Sequence, residues 1–385
     1  MLNHRYARIA LLTLIATFLF STFSTGQETR RNLAAFFDKL RAGKPVTVAY
    51  FGGSVTAGTG ASDANKTAYR ALVTQWLRSH YPQAQITELN AGISGTSSVY
   101  ASIRARRDVI AHKPDLVFFE FALNDANDTE DVVKKSLEGV VRQFLNGPRP
   151  PEMVMLYPSG SASETRVKWH ETIAQYYGIP AINLNELTQA ALASGKNTKA
   201  LFGKDSVCPL DEGHKLYAGF ITDFLAEQEK LKTSTSLRAY PPAMISDEMT
   251  YGEMKALAEA KHGVEWRTEP INDRALPASV LVSDKAGAQI EMTFEGTAVG
   301  LAFRMGPDAG IIECLIDGQP APASLARVDG YKSSAGVGTQ IVAGGLQPGE
   351  HKLIIRVSSD KNPKSSGHQV RLGYLLVGGL RPDRL

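Results

Sequence analysis

The sequence predicts an α/β protein: a flavodoxin-like, three-layer α/β/α unit around a parallel sheet of order 2-1-3-4-5, followed by a C-terminal all-β sandwich. Two patterns and the break between them predict it. Over residues 27–232 short apolar runs alternate with amphipathic stretches, as strands of a sheet covered on both faces alternate with crossover helices. Over 233–277 the texture changes to Ser, Thr, Pro and charge, with Pro241-Pro242, which reads as a linker carrying a short helix near Tyr251–Ala260. From 278 to 385 strand-like runs are spaced by turns such as Asp317-Gly318 and Pro348-Gly349, as in a β-sandwich.

Each element follows from its local pattern. Glu28 to Ala42 is helical, with Gly43 as a C-cap, and Pro45 to Phe51 is a buried strand. The alternation then repeats: helix Thr67–His80 and strand Gln85–Asn90, helix Tyr100–Ala111 and strand Asp115–Ala122, helix Glu130–Leu145 and strand Met153–Tyr157. Helix Glu164–Tyr177, strand Pro180–Leu184 and a closing helix from about Leu210 to Leu231 complete the unit. In the tail the strands are Ser279–Ser283, Gln289–Phe294, Ala298–Phe303, Ile311–Ile316 and Lys352–Val357.

Length and composition limit what the chain does. Its 385 residues suggest two domains, and 43% hydrophobic with 21% charged residues is a globular composition. Lys+Arg 42 against Asp+Glu 39, with no basic block, lacks the electrostatic footprint of a nucleic-acid binder. Residues 1–26 run from His4, Arg5 and Arg8 through an uncharged stretch, Ile9–Phe20, to the small and polar Ser21–Gly26, the order of regions in a secretory signal peptide. That stretch is too short to span ~30 Å of hydrocarbon, so the expectation is an exported protein, periplasmic or extracellular, with no membrane insertion after signal removal. Two cysteines, Cys208 and Cys314, are too few for a structural zinc site, and an oxidising compartment leaves a bridge between them open.

Ligands of open α/β sheets bind beyond the carboxyl ends of the strands. Four loops there carry candidate chemistry. The first is Gly52-Gly53-Ser54-Val55-Thr56-Ala57-Gly58, the second Asn90-Ala91-Gly92-Ile93-Ser94-Gly95-Thr96 and the third Ala122-Leu123-Asn124-Asp125; the fourth, Asp205 to His214, precedes the last helix. With strand order 2-1-3-4-5 the first loop lies between the second and third. A serine at a helix start, beside a glycine N–H and an asparagine amide, offers a nucleophile with donors for a developing oxyanion, as acyl transfer needs.

These blocks resemble the SGNH (GDSL-like) hydrolases, and the resemblance covers roughly Val46 to Ala226. Gly52-Gly53-Ser54 stands where the family usually has Gly-Asp-Ser, and Glu120-Phe-Ala-Leu-Asn124-Asp125 matches the third block of a subgroup. By that resemblance Ser54 is the nucleophile, while Gly95 supplies a backbone N–H and Asn124 a side-chain N–H to the oxyanion hole. The family's fourth block, Asp-x-x-His-Pro, supplies the rest of the triad. Here Asp205-Ser206-Val207-Cys208-Pro209 aligns with it, with cysteine in the place of histidine. Six residues on, Asp211-Glu212-Gly213-His214 restores the Asp-x-x-His spacing without the proline. Two readings stay open: His214 is the base in a shifted register, oriented by Asp211 or Asp205, or the base has been lost. Against the first, a histidine at a helix start also packs locally, and related sequences have a Gly-His pair there besides the catalytic histidine.

Other readings of the same residues are weaker. Gly53-x-x-x-x-Gly58 followed by Thr59 lacks the lysine of a phosphate-binding loop, and Thr56 replaces the second glycine of a Gly-x-Ser-x-Gly elbow. His170 falls on the helix before Tyr177 and reads as a structural histidine, with a place facing the site as the alternative. No cofactor or metal is implied. The expectation is therefore an exported serine esterase with an acylated carbohydrate or other ester as its substrate, since appended sandwiches resemble carbohydrate-binding modules. Tyr331 and Tyr374 are candidates to stack on sugars or to pack in the core. A catalytically impaired glycan-binding protein and an esterase for lipid or small acyl substrates are the alternatives.

Overall fold

The computed structural model describes residues 32–379 except 126–127, 148, 160–163, 196–200, 204–206, 233–240 and 322–325. The signal segment and Asp205 lie outside the described residues. The first unit runs α1 (Ala34–Arg41), β1 (Val46–Gly52), α2 (Ser54–Ala57), α3 (Tyr69–His80), β2 (Ile86–Gly92), α4 (Ser98–Asp108) and β3 (Leu116–Glu120). It continues with α5 (Glu130–Leu145), β4 (Glu152–Leu156), α6 (Glu164–Tyr176), β5 (Ala181–Ile182), α7 (Leu184–Ala193) and α8 (Asp211–Glu229).

The five strands are parallel in the order β2-β1-β3-β4-β5. The inner strands β1, β3 and β4 are largely apolar because the pleat sends alternate side chains into two separate cores. Val46, Val48 and Tyr50 of β1 join Leu116 and Phe118 of β3 beneath α1, α3 and α8, whereas Ala49 and Phe51 join Val117 and Phe119 beneath α4, α5 and α6. Register sets the height of the loops above: Gly52 lies opposite both Gly92 of β2 and Glu120 of β3, so three strands end at one level.

Two elements differ from expectation. The segment Pro180–Leu184 pairs through only Ala181–Ile182, because Asn183 accepts the Glu186 N–H and starts α7 at Leu184. The linker helix expected near Tyr251–Ala260 is instead strand β6 (Gly252–Ala256) with one 3-10 turn after it, and Arg267–Pro270 forms β7. Backbone pairing with a long neighbouring strand outweighs the weak helical spacing there.

The sandwich adds β8 (Ser279–Ser283), β9 (Gln289–Glu295), β10 (Ala298–Met305), β11 (Ile311–Ile316), β12 (Gln319–Pro320), β13 (Arg327–Asp329), β14 (Gly336–Ala343), β15 (Glu350–Val357) and β16 (Val370–Gly378). One sheet has the order β14-β10-β16-β8-β7, with β6 also on β16; the other is β12-β11-β15-β9, with β13 on β11. On β10, Val299, Leu301 and Phe303 face the core between the sheets, while Ala298 and Ala302 point the other way.

That second face is covered by the α/β unit. Ala298, Ala302, Val280, Val282, Leu376 and Met249 pack with Ile93, Tyr100 and Ile103 of the β2–α4 segment. Small residues permit the approach: a Cβ on Gly252 would lie 2.4 Å from the Ser102 carbonyl oxygen, and one on Gly378 would lie 2.9 Å from Ile103 Cδ1. Tyr374 belongs to this interface, with the Arg107 guanidinium 5.1 Å from its ring centroid, and therefore packs between domains. Cys314 is buried in the sandwich core, where its thiol is pushed up to about 12, and the two cysteines form no disulfide.

The connector is held by one carboxylate. Glu138 of α5 is fully buried and accepts the N–H groups of Met244, Ile245 and Ser246 and the Tyr177 hydroxyl. Removing it leaves those donors without this partner, at ~1–3 kcal/mol for each one kept from water. Glu138→Ala should lower the unfolding free energy by about 3 kcal/mol or more and open the 241–250 segment to proteolysis; a loss under ~1 kcal/mol in denaturant titration contradicts this account.

Candidate active site

The site forms where β1, β2 and β3 end. Ser54 follows Gly53 directly, begins α2 and is partly exposed. The turn closes with Gly58 in the left-handed region at φ 95°, and the Ser54 carbonyl accepts the N–H of Thr59 at 3.0 Å. Glycine at 52 and 92 lets the turn sit down on the strand ends, since a Cβ on Gly92 would lie 2.3 Å from the Ala57 nitrogen.

The second and third loops close on this turn. Ser94 and Thr59 approach through their hydroxyls at 3.3 Å, and Gly95, exposed, has φ 74°. Asn124 donates its Nδ2 hydrogen to the Thr96 carbonyl at 3.0 Å. The same amide lies against Gly53: a Cβ there would be 2.7 Å from Nδ2. This is a physical reason for Gly53 in the position where the resembling family has aspartate. Ser54, Gly95 and Asn124 thus come from loops in mutual contact at one mouth of the sheet.

Three buried ionic side chains hold the turn from below. Glu120 Oε2 accepts the N–H groups of Gly53 and Thr56, each at 3.2 Å, and the Thr56 hydroxyl at 2.9 Å. Burial raises its pKa to about 7 against these hydrogen bonds. Arg104, fully buried on α4, donates to the carbonyls of Gly52 at 3.1 Å and Ala91 at 2.9 Å, with its guanidinium 4.4 Å from the Phe51 ring centroid. Arg70 of α3 donates to the Thr56 carbonyl at 3.2 Å and pairs with Glu88. The sequence signal for Arg104 was its place on the apolar stripe of α4, between Ala101 and Ala105; for Glu120 it was an acid closing an otherwise apolar strand.

The fourth block departs from the shifted-register expectation. His214 is fully buried: Nδ1 accepts the Tyr69 N–H at 3.3 Å, and Nε2 lies 3.3 Å from the Thr59 carbonyl. The second contact requires Nε2–H as the donor, so both nitrogens are spent on main chain. Burial lowers the imidazole pKa to about 4, which leaves it neutral, and the ring stacks on Tyr69 with centroids 6.2 Å apart. Asp211 does not orient it. Its carboxylate accepts the Ser62 N–H at 2.8 Å, the Thr67 hydroxyl at 2.7 Å and the Ser62 hydroxyl at 2.6 Å, which hold its pKa at about 2. This is the geometry of a pair that shapes the 59–69 loop, because α8 begins at Asp211 and turns both side chains toward α3.

Cys208 lies beside the chain that leaves the Ser54 turn. The 207–210 segment packs against Gly60, where a Cβ would be 3.5 Å from Cys208 Cβ and 2.2 Å from the Pro209 carbonyl oxygen. His170, buried on α6, has Nε2 2.8 Å from Asp125 Oδ2, while Asp125 Oδ1 accepts the Ser98 N–H at 2.8 Å. That histidine ties the third block to α4 and α6. Among the described residues no group of three or more His, Cys, Asp or Glu is placed to hold a metal ion.

Comparison with known proteins finds a family model and solved structures of the same fold. Residues 50–216 match the family model described as the GDSL-like Lipase/Acylhydrolase family. The chain superposes over 91% of its length on a crystal structure of a two-domain esterase active on acetylated mannans, co-crystallised with mannopentaose, covering 96% of that chain with a TM-score of 0.79 and 22% identity. A second structure of a two-domain esterase active on acetylated mannans is covered to 95%, over 91% of this chain, with a TM-score of 0.76 and 23% identity. At such identity the likeness is one of fold, and it runs through both domains. No curated protein matches the chain in sequence. Over residues 50–216 the chain is similar to the GDSL-like lipase/acylhydrolase family, a similarity that supports a carboxylic ester hydrolase.

Proposed function

We propose that this chain, once exported, removes short acyl groups such as acetyl from carbohydrate through an acyl-enzyme on Ser54. The observation that carries the reading is the convergence of Gly53-Ser54 with the Asn124 amide and the Gly95 loop at the end of the sheet. The fold shared with an esterase active on acetylated mannans supports carbohydrate as the acyl carrier. Ser54 Oγ would attack the ester carbonyl, and its proton would pass to a base and then to the departing sugar hydroxyl. Water would release the acid by the reverse sequence. The N–H of Gly95 and Asn124 Nδ2 would hold the oxyanion. Ser54→Ala should abolish hydrolysis of p-nitrophenyl acetate, and Asn124→Ala should lower kcat by ~10²–10³; full activity in Ser54→Ala ends the acyl-enzyme reading.

Gly53 gives a sharper test of the oxyanion geometry. In Gly53→Ala the methyl group would displace the flexible Asn124 amide rather than main chain, so stability should change little while kcat falls at least tenfold. Unchanged kcat would mean that the amide is not a donor to the reacting carbonyl.

Proton transfer falls to the 205–208 segment in this reading, since both His214 nitrogens are engaged elsewhere. A thiol ordinarily titrates near ~8.5 and is a few per cent thiolate at pH 7, so turnover should be slow and climb with pH toward ~8.5. Cys208→His should raise kcat at pH 7 by about tenfold or more and move the rising limb down to ~6.5, where an imidazole loses its proton. An unchanged rate and pH profile would rule out position 208. The buried His214 also favours a second reading, a glycan-binding protein with little turnover. A wild type that binds acetylated oligosaccharide without cleaving it, beside an active Cys208→His, would select that reading.

A further inference from the structure

We infer that Glu120 is the positioning residue for Ser54, fixing with Arg104 the one peptide group that aims the nucleophile. The inference rests on the Ser54 reading above and concerns the Gly52–Gly53 peptide, one peptide group ahead of the one that joins Gly53 to Ser54. Its carbonyl oxygen accepts hydrogen bonds from the Arg104 guanidinium at 3.1 Å and the Ile93 N–H at 3.0 Å. Its N–H donates to Glu120 Oε2 and to the Glu120 carbonyl, both at 3.2 Å. One planar unit is therefore held at opposite edges by buried groups of opposite charge, and it cannot rotate without breaking one set.

The Glu120 carboxylate reaches further along the turn. Oε2 also accepts the N–H and the hydroxyl of Thr56, and that hydroxyl in turn accepts from Tyr69 at 2.9 Å. Residues 53 and 56, on either side of Ser54, are thereby fixed to one oxygen atom. The other oxygen, Oε1, is buried and has no hydrogen-bond partner among the described residues. A carboxylate that is 1% exposed and leaves one oxygen unsatisfied costs stability, and a neutral side chain would be cheaper for packing alone. The charge strengthens three hydrogen bonds to the turn, which is what a nucleophile held to a fraction of an ångström requires.

The surroundings agree. Near the carboxylate are Tyr69 from α3, Asp125 from the following loop and Tyr217 from α8, while Arg70 donates to the Thr56 carbonyl and Arg104 lies across the peptide. Burial raises the Glu120 pKa to about 7, so the folded state prefers its neutral form. The stability held by that form is complete below the ordinary glutamate range near ~4.3 and is lost as pH rises through about 7. Removing the charge should therefore help folding at pH 8 while harming catalysis.

Glu120→Gln tests this, with Ser54→Ala beside it. Three quantities are read at pH 8: kcat and KM for p-nitrophenyl acetate, the rate at which a p-nitrophenyl alkylphosphonate labels Ser54 by mass, and Tm. The expected result is a fall of tenfold or more in kcat and in labelling rate, with KM within twofold and Tm equal to or above wild type. A Tm that falls together with kcat would make Glu120 a merely structural residue, and kcat and labelling within twofold of wild type would make it irrelevant; either overturns the inference. If Ser54→Ala keeps wild-type activity, the Ser54 reading fails and the inference with it. If Ser54→Ala is dead while Glu120→Gln is unchanged, the inference alone fails.

Discussion

Much of this molecule depends on burying two opposite charges at the end of one strand. Arg104 and Glu120 do not touch each other; each holds main chain at the Gly52–Gly53 step. Isolated ions in such a place would be very costly; Arg104 is compensated and Glu120 only in part. Arg104 lies over the Phe51 ring and pairs with Asp108 at 3.0 Å, and Glu120 takes its hydrogen bonds from the turn itself. The compensation is local and uses backbone groups that parallel strands leave unpaired at their ends. Function and fold are therefore linked at the same atoms: the bonds that satisfy the charges are the bonds that orient the serine turn.

The sandwich takes part in that arrangement through α4. This helix carries Arg104 on one face and, through Tyr100 and Ile103, the interdomain core on another. Tyr100 donates to the Ala275 carbonyl at 2.7 Å, Gln143 bridges the carbonyls of Ser102 and Met249 at 2.6 and 2.9 Å, and Arg274 reaches the Asn90 carbonyl at 2.9 Å. A surface of that kind, apolar at its centre and hydrogen-bonded around it, fixes the relative placement of two domains. The β2–α4 loop that bears Gly95 is consequently anchored from both sides, by the α/β sheet below and by the sandwich beside it.

The α/β order, the sandwich and three of the four loops were legible because they rest on local signals. Apolar runs bounded by turn residues mark parallel strands, and Gly53-Ser54, Gly95 and Asn124 each follow one directly. What sequence spacing did not carry was tertiary competition. Residues 252–256 have a helical spacing yet pair with β16, a partner more than a hundred residues away that no local pattern announces. The strands β14 and β16 escaped notice for opposite reasons: Gly336-Val-Gly-Thr has few strand formers, and Val370–Gly378 lacks alternation, being apolar apart from Arg371 and Tyr374, because its two faces meet different cores. Glu120 and Arg104 were invisible in role, since a buried charge shows its partners only in three dimensions.

The fourth block shows why motif spacing and geometry part company. Asp-x-x-His is read as a triad pair only when both residues lie in an irregular loop whose backbone can bring imidazole and serine together. At 211–214 the same spacing falls inside the first turn of a helix, where Cα–Cβ bonds point toward the N-terminus and residues three apart share one face. The direction of that face decides the outcome. It meets α3 and the loop before it, so Asp211 finds Ser62 and Thr67, and His214 finds the main chain of Thr59 and Tyr69. Only a residue ahead of the helix start escapes this constraint. Position 208 is such a residue, in a segment packed on Gly60 just beyond the Ser54 turn, and under the proposed function its competence as a base is a matter of side-chain chemistry rather than of fold.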